Sequence, residues 1–127
     1  MRVFAFKSFK KWATREGIPD KILLKAAKEI VAGQVEADLG KGLFKKRLAG
    51  LGKGKRGGFR LIVAYKRPNS DRIIFIFNFA KADTSNLNAE ELKYVSVVAK
   101  KFLEMSDEKF AQSIQDGFLV ELEEQIP

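Results

Sequence analysis

The sequence predicts an α+β fold in which two N-terminal helices and a C-terminal helical extension pack on an antiparallel sheet of four or five strands. Residues 59–66 alternate between the two faces of a strand, and residues 73–80, IIFIFNFA, are apolar on both faces. The intervening PNSD, residues 68–71, is typical of a tight turn. The predicted order is β-α-α-β-β-β-α-α, and residues 118–122, FLVEL, can form a last edge strand.

The first three elements are a short strand and two amphipathic helices. Residues 2–6, RVFAF, have the composition of a strand, and the helix that follows ends at Gly17. Pro19 and Asp20 open the next helix, because Pro suits the first turn and an acid is favourable at the positive helix end. Apolar side chains then recur on one helical face before Gly33 ends the helix: Ile22, Leu23, Ala26, Ala27, Ile30 and Val31.

The middle and C-terminal parts of the chain are predicted to contain a loop, a strand and two helices. Residues 34–42 are interpreted as a loop, and residues 43–48 as a strand with basic outer positions. Asn88 begins a helix, because Asn88 and Glu91 have the spacing of a capping box. A further short helix is expected over residues 107–115.

The composition limits the classes of function. A chain of 127 residues that is 46% hydrophobic is sufficient for a single domain, residues 1–127, with one core. The chain has no cysteine and no histidine, which excludes disulfides, thiolate metal sites and the commonest general base. We therefore expect no metal and no other cofactor. No apolar run approaches the ~20 residues of a membrane span, so we expect a cytoplasmic protein with no membrane partner.

Positive charge is concentrated in one stretch of the chain. Residues 41–70 contain ten Lys or Arg and no acid, whereas the rest of the chain carries 14 basic and 16 acidic residues. Such a patch repels itself unless an anion binds it or water screens it, and phosphate backbones are the usual partner. Charge alone leaves open both nucleic-acid binding and a solvated loop. The segment GKGKRGG, residues 52–58, lacks the spacing of a phosphate-binding loop and precedes a strand, which excludes a nucleoside triphosphate site.

Four basic residues are predicted to lie at the ends of three adjacent strands, where they could meet one phosphate: Lys45, Arg47, Arg60 and Lys81. Lys45 and Arg47 share one face of their strand because strand side chains alternate, and Lys46 points the other way. Arg60 lies one step inside the next strand, and Lys81 directly follows the apolar strand.

Arg60 is the most position-specific of these charges, because a guanidinium is costly to bury without a partner. One interpretation is a two-pronged phosphate clamp on a rigid sheet. The structural alternatives are an edge position open to water, or an ion pair with Asp83 or with an acid of the C-terminal tail.

Two longer motifs indicate a family. The motif R-G-G-F-R-x-x-x-A-Y occupies residues 56–65, and F-A-K-x-D-x-S-N-L occupies residues 79–87 after the apolar strand. With the preceding strand and two helices, they resemble the RelE-like toxins of bacterial type II toxin–antitoxin pairs, in the RelE/HigB branch of the RelE/ParE superfamily. The resemblance covers nearly the whole chain. It implies a ribosome-dependent endoribonuclease that cuts mRNA, with a cognate antitoxin, mRNA and the ribosome as its partners.

The resemblance also implies a set of site residues. Lys45 and Arg47 match basic residues on the strand before the glycine-rich loop, Arg60 matches a catalytic arginine, and Lys81 matches a basic residue after the central strand. Some members use a tyrosine close to the position of Asn88. The residues expected to hold RNA phosphates are Lys46, Lys53, Lys55 and Arg56.

The implied reaction is attack of a 2′-hydroxyl on the adjacent phosphate, which gives a 2′,3′-cyclic phosphate and a 5′-hydroxyl without a metal ion. Because the chain has no histidine, Lys45 is the expected base, since neighbouring cations favour a neutral amine. Arg60 is expected to clamp the phosphate, Arg47 to steady the scissile region and Lys81 to protonate the leaving oxygen.

Two other functions are compatible with the sequence. One is a non-catalytic RNA-binding module, and the other is a ParE-like toxin that binds DNA gyrase. ParE-like proteins share the fold but lack the ribonuclease residues, so the matches at Lys45, Arg47, Arg60 and Lys81 favour the ribonuclease.

Overall fold

The computed structural model describes residues 2–48, 58–66, 71–80 and 87–123. The strands are β1 (Arg2–Phe6), β2 (Ala37–Gly40), β3 (Leu43–Leu48), β4 (Phe59–Tyr65), β5 (Arg72–Ala80) and β6 (Leu119–Leu122). The helices are α1 (Lys7–Arg15), α2 (Asp20–Val31), α3 (Ala89–Glu104) and α4 (Asp107–Gln115). Each of these helices is too short or too polar to cross a lipid bilayer.

The strands of the described residues form one sheet in the order β2-β3-β4-β5-β1-β6. The predicted α+β class is confirmed, and β5 lies inside the sheet as its two apolar faces predict. The sheet is mixed rather than antiparallel, because β1 pairs with β5 in parallel while the other neighbours are antiparallel. Because β5 is apolar on both faces, it suits an interior position that other layers cover on both sides, and the backbone groups along its two edges pair with neighbouring strands. β4 supplies one edge and β1 supplies the other.

The strand β2 corrects the prediction of a loop over residues 34–42 and raises the strand count above the expected four or five. β2 pairs antiparallel with β3 at the edge of the sheet. The turn between them has positive φ at Gly40 (84°), Lys41 (54°) and Gly42 (80°). A Cβ atom on Gly42 would lie 3.0 Å from Leu103 Cδ1 and 3.3 Å from the Tyr65 carbonyl oxygen. Glycine therefore lets this turn pack closely against β4 and α3.

Helices cover both faces of the sheet. On one face, α1 and α2 bury Phe9, Leu23 and Ile30 against the strands. On the other face, α3 and α4 bury Val95 and Phe110. Every residue of β4 is buried between these layers, so a charged residue in β4 needs a specific partner.

The predicted helix ends are confirmed where the sequence supplies a specific end residue. Asn88 Oδ1 accepts a hydrogen bond of 2.8 Å from the Glu91 backbone N–H, and Glu91 Oε1 accepts one of 3.0 Å from the Asn88 N–H. This reciprocal pair is a capping box, and it fixes the start of α3. Gly17 and Gly33 follow α1 and α2 with φ of 71° and 90°, a conformation that favours glycine after a helix end.

Arg72, the first residue of β5, connects the sheet to the junction between α3 and α4. Its guanidinium donates to the carbonyl oxygens of Phe102 and Met105 at 3.0 and 2.7 Å. It also donates to Asp107 Oδ1 at 2.8 Å and lies 4.0 Å from the centre of the Phe110 ring. Because carbonyls at a helix C-terminus lack partners within the helix, Arg72 satisfies the end of α3 and fixes both C-terminal helices to the sheet.

The strand β6 confirms the expected last edge strand. It pairs with β1, so the sheet order places it at the edge remote from β2 and β3. Leu119 and Leu122 are buried, and Glu121 accepts two hydrogen bonds from Arg2 at 3.0 and 2.9 Å. The strand β6 therefore completes the core at the edge of the sheet that is remote from the basic strand β3.

We predict that Arg72→Ala destabilises the protein more than Arg2→Ala, although these arginines are paired in the β1–β5 register. Loss of Arg72 leaves partly buried carbonyls without donors, which should lower the free energy of unfolding by about 2–4 kcal/mol. The Arg2 side chain is 56% exposed, and its pair with Glu121 should contribute about 0–1 kcal/mol. Urea unfolding followed by circular dichroism measures both changes. Equal losses in the two variants would contradict the role assigned to Arg72.

Candidate active site

The β3–β4 ladder determines on which side of the sheet each basic residue of the predicted site lies. Arg47 is opposite Arg60, and Lys45 is opposite Ile62. Ile62 belongs to the core under α3 and α4. Because directly paired residues share a face, Lys45, Arg47 and Arg60 lie on that side of the sheet. Lys46 lies on the side of α2, where it pairs with an α2 carboxylate, so the predicted alternation is confirmed.

Arg60 is a buried cation with a specific counter-charge. The residue is 3% exposed, and its Nε lies 2.6 Å from Glu36 Oε2. The Glu36 side chain is 34% exposed, so the pair extends from the interior of the sheet to the surface. Of the alternatives for Arg60, an ion pair is thus present, with Glu36 as the described partner. Asp83, the acid named as a candidate from the sequence, lies outside the described residues.

The segment that carries Glu36 is attached to β3 by its own hydrogen bonds. The Glu36 backbone N–H donates to the Lys45 carbonyl oxygen at 2.8 Å. Next to it, Lys46 Nζ donates to the Gln34 carbonyl oxygen at 2.8 Å. These contacts place the start of β2 beside β3, and they bring the Glu36 carboxylate across β3 to Arg60 on β4.

Lys46 has a structural environment on the α2 side of the sheet. Its side chain is 12% exposed, and its Nζ lies 3.2 Å from Glu29 Oε1 in addition to its bond with Gln34. The ammonium group of this β3 residue therefore connects β3 both to α2 and to the segment that precedes β2. The RNA-binding role expected for Lys46 stays a prediction, and these contacts support a role in stability.

Several of the predicted site residues lie outside the described residues: Lys53, Lys55, Arg56 and Lys81. Their expected roles stay predictions, including the meeting of Lys81 with the cations of β3 and β4. The described cations differ in exposure to solvent: Arg47 is exposed, Lys45 is half-buried and Arg60 is buried.

Glu36 is the residue of this cluster that sequence reasoning missed. Glu36 and Asp38 are the acids that most closely precede the basic stretch of residues 41–70, which has none of its own. That proximity was the available signal. A loop over residues 34–42 provides no strand pairing that would bring Glu36 to Arg60, whereas the pairing of β2 with β3 does.

The cluster therefore contains the cations Lys45, Arg47 and Arg60 on the two neighbouring strands β3 and β4, and the carboxylate Glu36 in the segment before β2. In the described part of the chain, no group of three or more acidic side chains lies close enough together to hold a metal ion. Guanidinium and ammonium groups on one face can bind a phosphodiester through charge-assisted hydrogen bonds. A carboxylate beside them can fix the direction of one guanidinium.

Comparison with known proteins connects this site to a family. The family model for the RelE toxin of the RelE/RelB toxin-antitoxin system matches residues 1–122. The comparison with curated proteins found no match. The family match includes every strand and helix described above, and it confirms the resemblance inferred from the motifs around Arg60. The chain therefore belongs to the RelE toxin family, and it is the toxin of a toxin–antitoxin pair.

Proposed function

We propose that this toxin inhibits translation by cutting mRNA on the ribosome as an endoribonuclease. The observation that supports the proposal is the placement of Lys45, Arg47 and Arg60 on one face of two paired strands, with Arg60 directly opposite Arg47. Family membership implies a cognate antitoxin. We further propose that mRNA and the ribosome are its partners in the cytoplasm.

The electrostatics of β3 and β4 favour a dianionic ligand. Like charges directly opposite each other on one face of a sheet repel, and the Arg47–Arg60 pair is such an arrangement. A phosphate that binds both guanidiniums relieves this repulsion. The phosphorane formed during RNA cleavage carries more negative charge than the phosphodiester, so it binds this pair more strongly than the substrate does. That difference lowers the barrier.

The proposed reaction uses the cluster as follows. Lys45, as the general base, takes the proton of a 2′-hydroxyl, whose oxygen attacks the adjacent phosphorus. A bond forms between phosphorus and O2′, and the bond between phosphorus and O5′ breaks. Arg60 and Arg47 bind the non-bridging oxygens, and Lys81 gives a proton to the departing O5′. The products are a 2′,3′-cyclic phosphate and a 5′-hydroxyl.

One observation favours a different function for the same surface. Arg60 is buried and paired with Glu36, as expected of a cation that only stabilises the fold. In that case Lys45 and Arg47 belong to a binding surface without chemistry, either for RNA or, as in ParE-like toxins, for gyrase. The two functions differ in whether any phosphodiester bond is broken.

The first test of the proposal uses purified protein and ribosomes carrying a defined mRNA. We expect cleavage of the ribosome-bound mRNA into fragments that have 5′-hydroxyl and 2′,3′-cyclic phosphate ends, because the 2′-hydroxyl is the nucleophile. DNA supercoiling by gyrase should be unaffected at the same toxin concentration. Intact mRNA at stoichiometric toxin would count against the ribonuclease, and inhibition of supercoiling would favour the ParE-like alternative.

A second test compares adjacent lysines that lie on opposite faces of β3. Lys45→Ala should reduce the cleavage rate by roughly 10²–10⁴-fold with little change in stability, because a general base is removed. Lys46→Ala should instead lower the free energy of unfolding by about 1–2 kcal/mol, because the contacts with Glu29 and Gln34 are lost. Single-turnover cleavage per folded molecule and urea unfolding separate these effects. A larger loss of cleavage in Lys46→Ala than in Lys45→Ala would contradict the proposed site.

A further inference from the structure

We infer that Glu36 is a positioning residue whose carboxylate holds the Arg60 guanidinium in the orientation in which it meets the scissile phosphate. This inference rests on the proposed ribonuclease function and adds a residue that the family motifs did not indicate. Glu36 contacts Arg60, so in this role it acts through the arginine.

The contact geometry restricts the guanidinium directly. Glu36 Oε2 lies 2.6 Å from Arg60 Nε, the nitrogen nearest the aliphatic part of the side chain. Since the guanidinium is planar and its donors have a fixed fork geometry, a strong bond at Nε sets the plane of the whole group. The terminal nitrogens then point in one direction before any phosphate binds.

The Glu36 carboxylate also offsets the electrostatic repulsion that acts on the Arg60 guanidinium. Arg47 stands directly opposite Arg60, and repulsion between them would drive the two side chains apart. The carboxylate of Glu36 offsets this repulsion from the Arg60 side. It therefore stabilises a buried guanidinium on the residue paired with a second cation.

Contacts other than the carboxylate also hold the segment of Glu36 in place. The backbone N–H of Glu36 already bonds to Lys45, and Lys46 already bonds to Gln34 and Glu29. Because other contacts fix this segment, the carboxylate is available for a role other than attaching the segment to β3. Its described contact is the one with Arg60.

A matched pair of glutamates makes the inference testable. Glu36 and Glu29 have similar side-chain exposure, 34% and 36%, and each pairs with a strand cation, Arg60 or Lys46, on opposite faces of the sheet. Glu29→Ala therefore serves as the control for Glu36→Ala. Glu36→Gln is the conservative variant, because its amide oxygen can still accept the Arg60 Nε–H.

The first measurement does not depend on activity. In ¹H–¹⁵N NMR spectra, the Arg60 Nε–H, assigned by its loss in Arg60→Lys, should exchange slowly with water in the wild type. Exchange should become fast in Glu36→Ala and stay slow in Glu29→Ala. Unchanged slow exchange in Glu36→Ala would overturn the positioning role even if the toxin is a ribonuclease.

The second measurement is single-turnover cleavage of ribosome-bound mRNA. We expect Glu36→Ala to cleave roughly 10- to 100-fold more slowly at saturating ribosomes, with affinity for the ribosome changed less than about threefold, because orientation is lost and binding is not. Glu36→Gln should retain at least about three times the rate of Glu36→Ala, because its amide keeps part of the hydrogen bond. In an Arg60→Ala background, Glu36→Ala should reduce the cleavage rate by less than about twofold, because the residue through which Glu36 acts is already absent.

The outcomes separate this inference from the proposed function. No cleavage by the wild-type toxin refutes the ribonuclease, while the NMR result still decides whether Glu36 orients Arg60. Wild-type rates per folded molecule in Glu36→Ala overturn the inference alone. Glu36→Gln as slow as Glu36→Ala, with a full additional loss in the Arg60→Ala background, also overturns it, because that pattern is expected of a general base.

Discussion

A guanidinium inside a sheet must have its charge balanced, and the arrangement of β2, β3 and β4 depends on how Arg60 meets this requirement. Every residue of β4 is buried between two helical layers, and burial of an unpaired charge is strongly unfavourable. Glu36 supplies the counter-charge from beyond β3, at 2.6 Å, and the segment before β2 is attached to β3 so that it can do so. The cations of β3 and β4 are thus placed by folding, before a ligand binds, and such preorganisation is what electrostatic catalysis requires.

Strong local signals made most of the fold predictable from the sequence. The capping pair of Asn88 and Glu91 and the glycines after α1 and α2 specify helix ends through single residues, and the alternation along β4 specifies a strand. β2 was not predictable in this way, because the stretch ADLG has one large apolar residue, Leu39, and its strand form comes from backbone pairing with β3. The parallel pairing of β1 with β5 joins distant residues such as Arg2 and Arg72, and no local pattern encodes it.

In the candidate site too, the features set by local periodicity were predictable and those set by tertiary contacts were not. Strand periodicity was sufficient to place Lys45 and Arg47 on one face and Lys46 on the other, because alternation is a property of the chain itself. The partners of these cations were not predictable, since Glu36 and Glu29 reach Arg60 and Lys46 only through tertiary contacts. The sequence motif indicated that Arg60 is functional, and the structure adds how a buried arginine can be accommodated there.

In the proposed mechanism, buried Arg60 takes part in RNA cleavage as well as in folding. The most direct test maps the 5′ ends of cellular mRNA after brief expression of wild-type toxin or Arg60→Ala in a bacterium without the antitoxin. We expect new 5′-hydroxyl ends in coding regions with the wild type. Arg60→Ala should give roughly 10²–10³-fold fewer of them at equal levels of folded protein, and Arg60→Lys should restore few of them because an ammonium lacks the planar fork. Wild-type numbers of new ends with a well-folded Arg60→Ala protein would show that Arg60 has no part in cleavage.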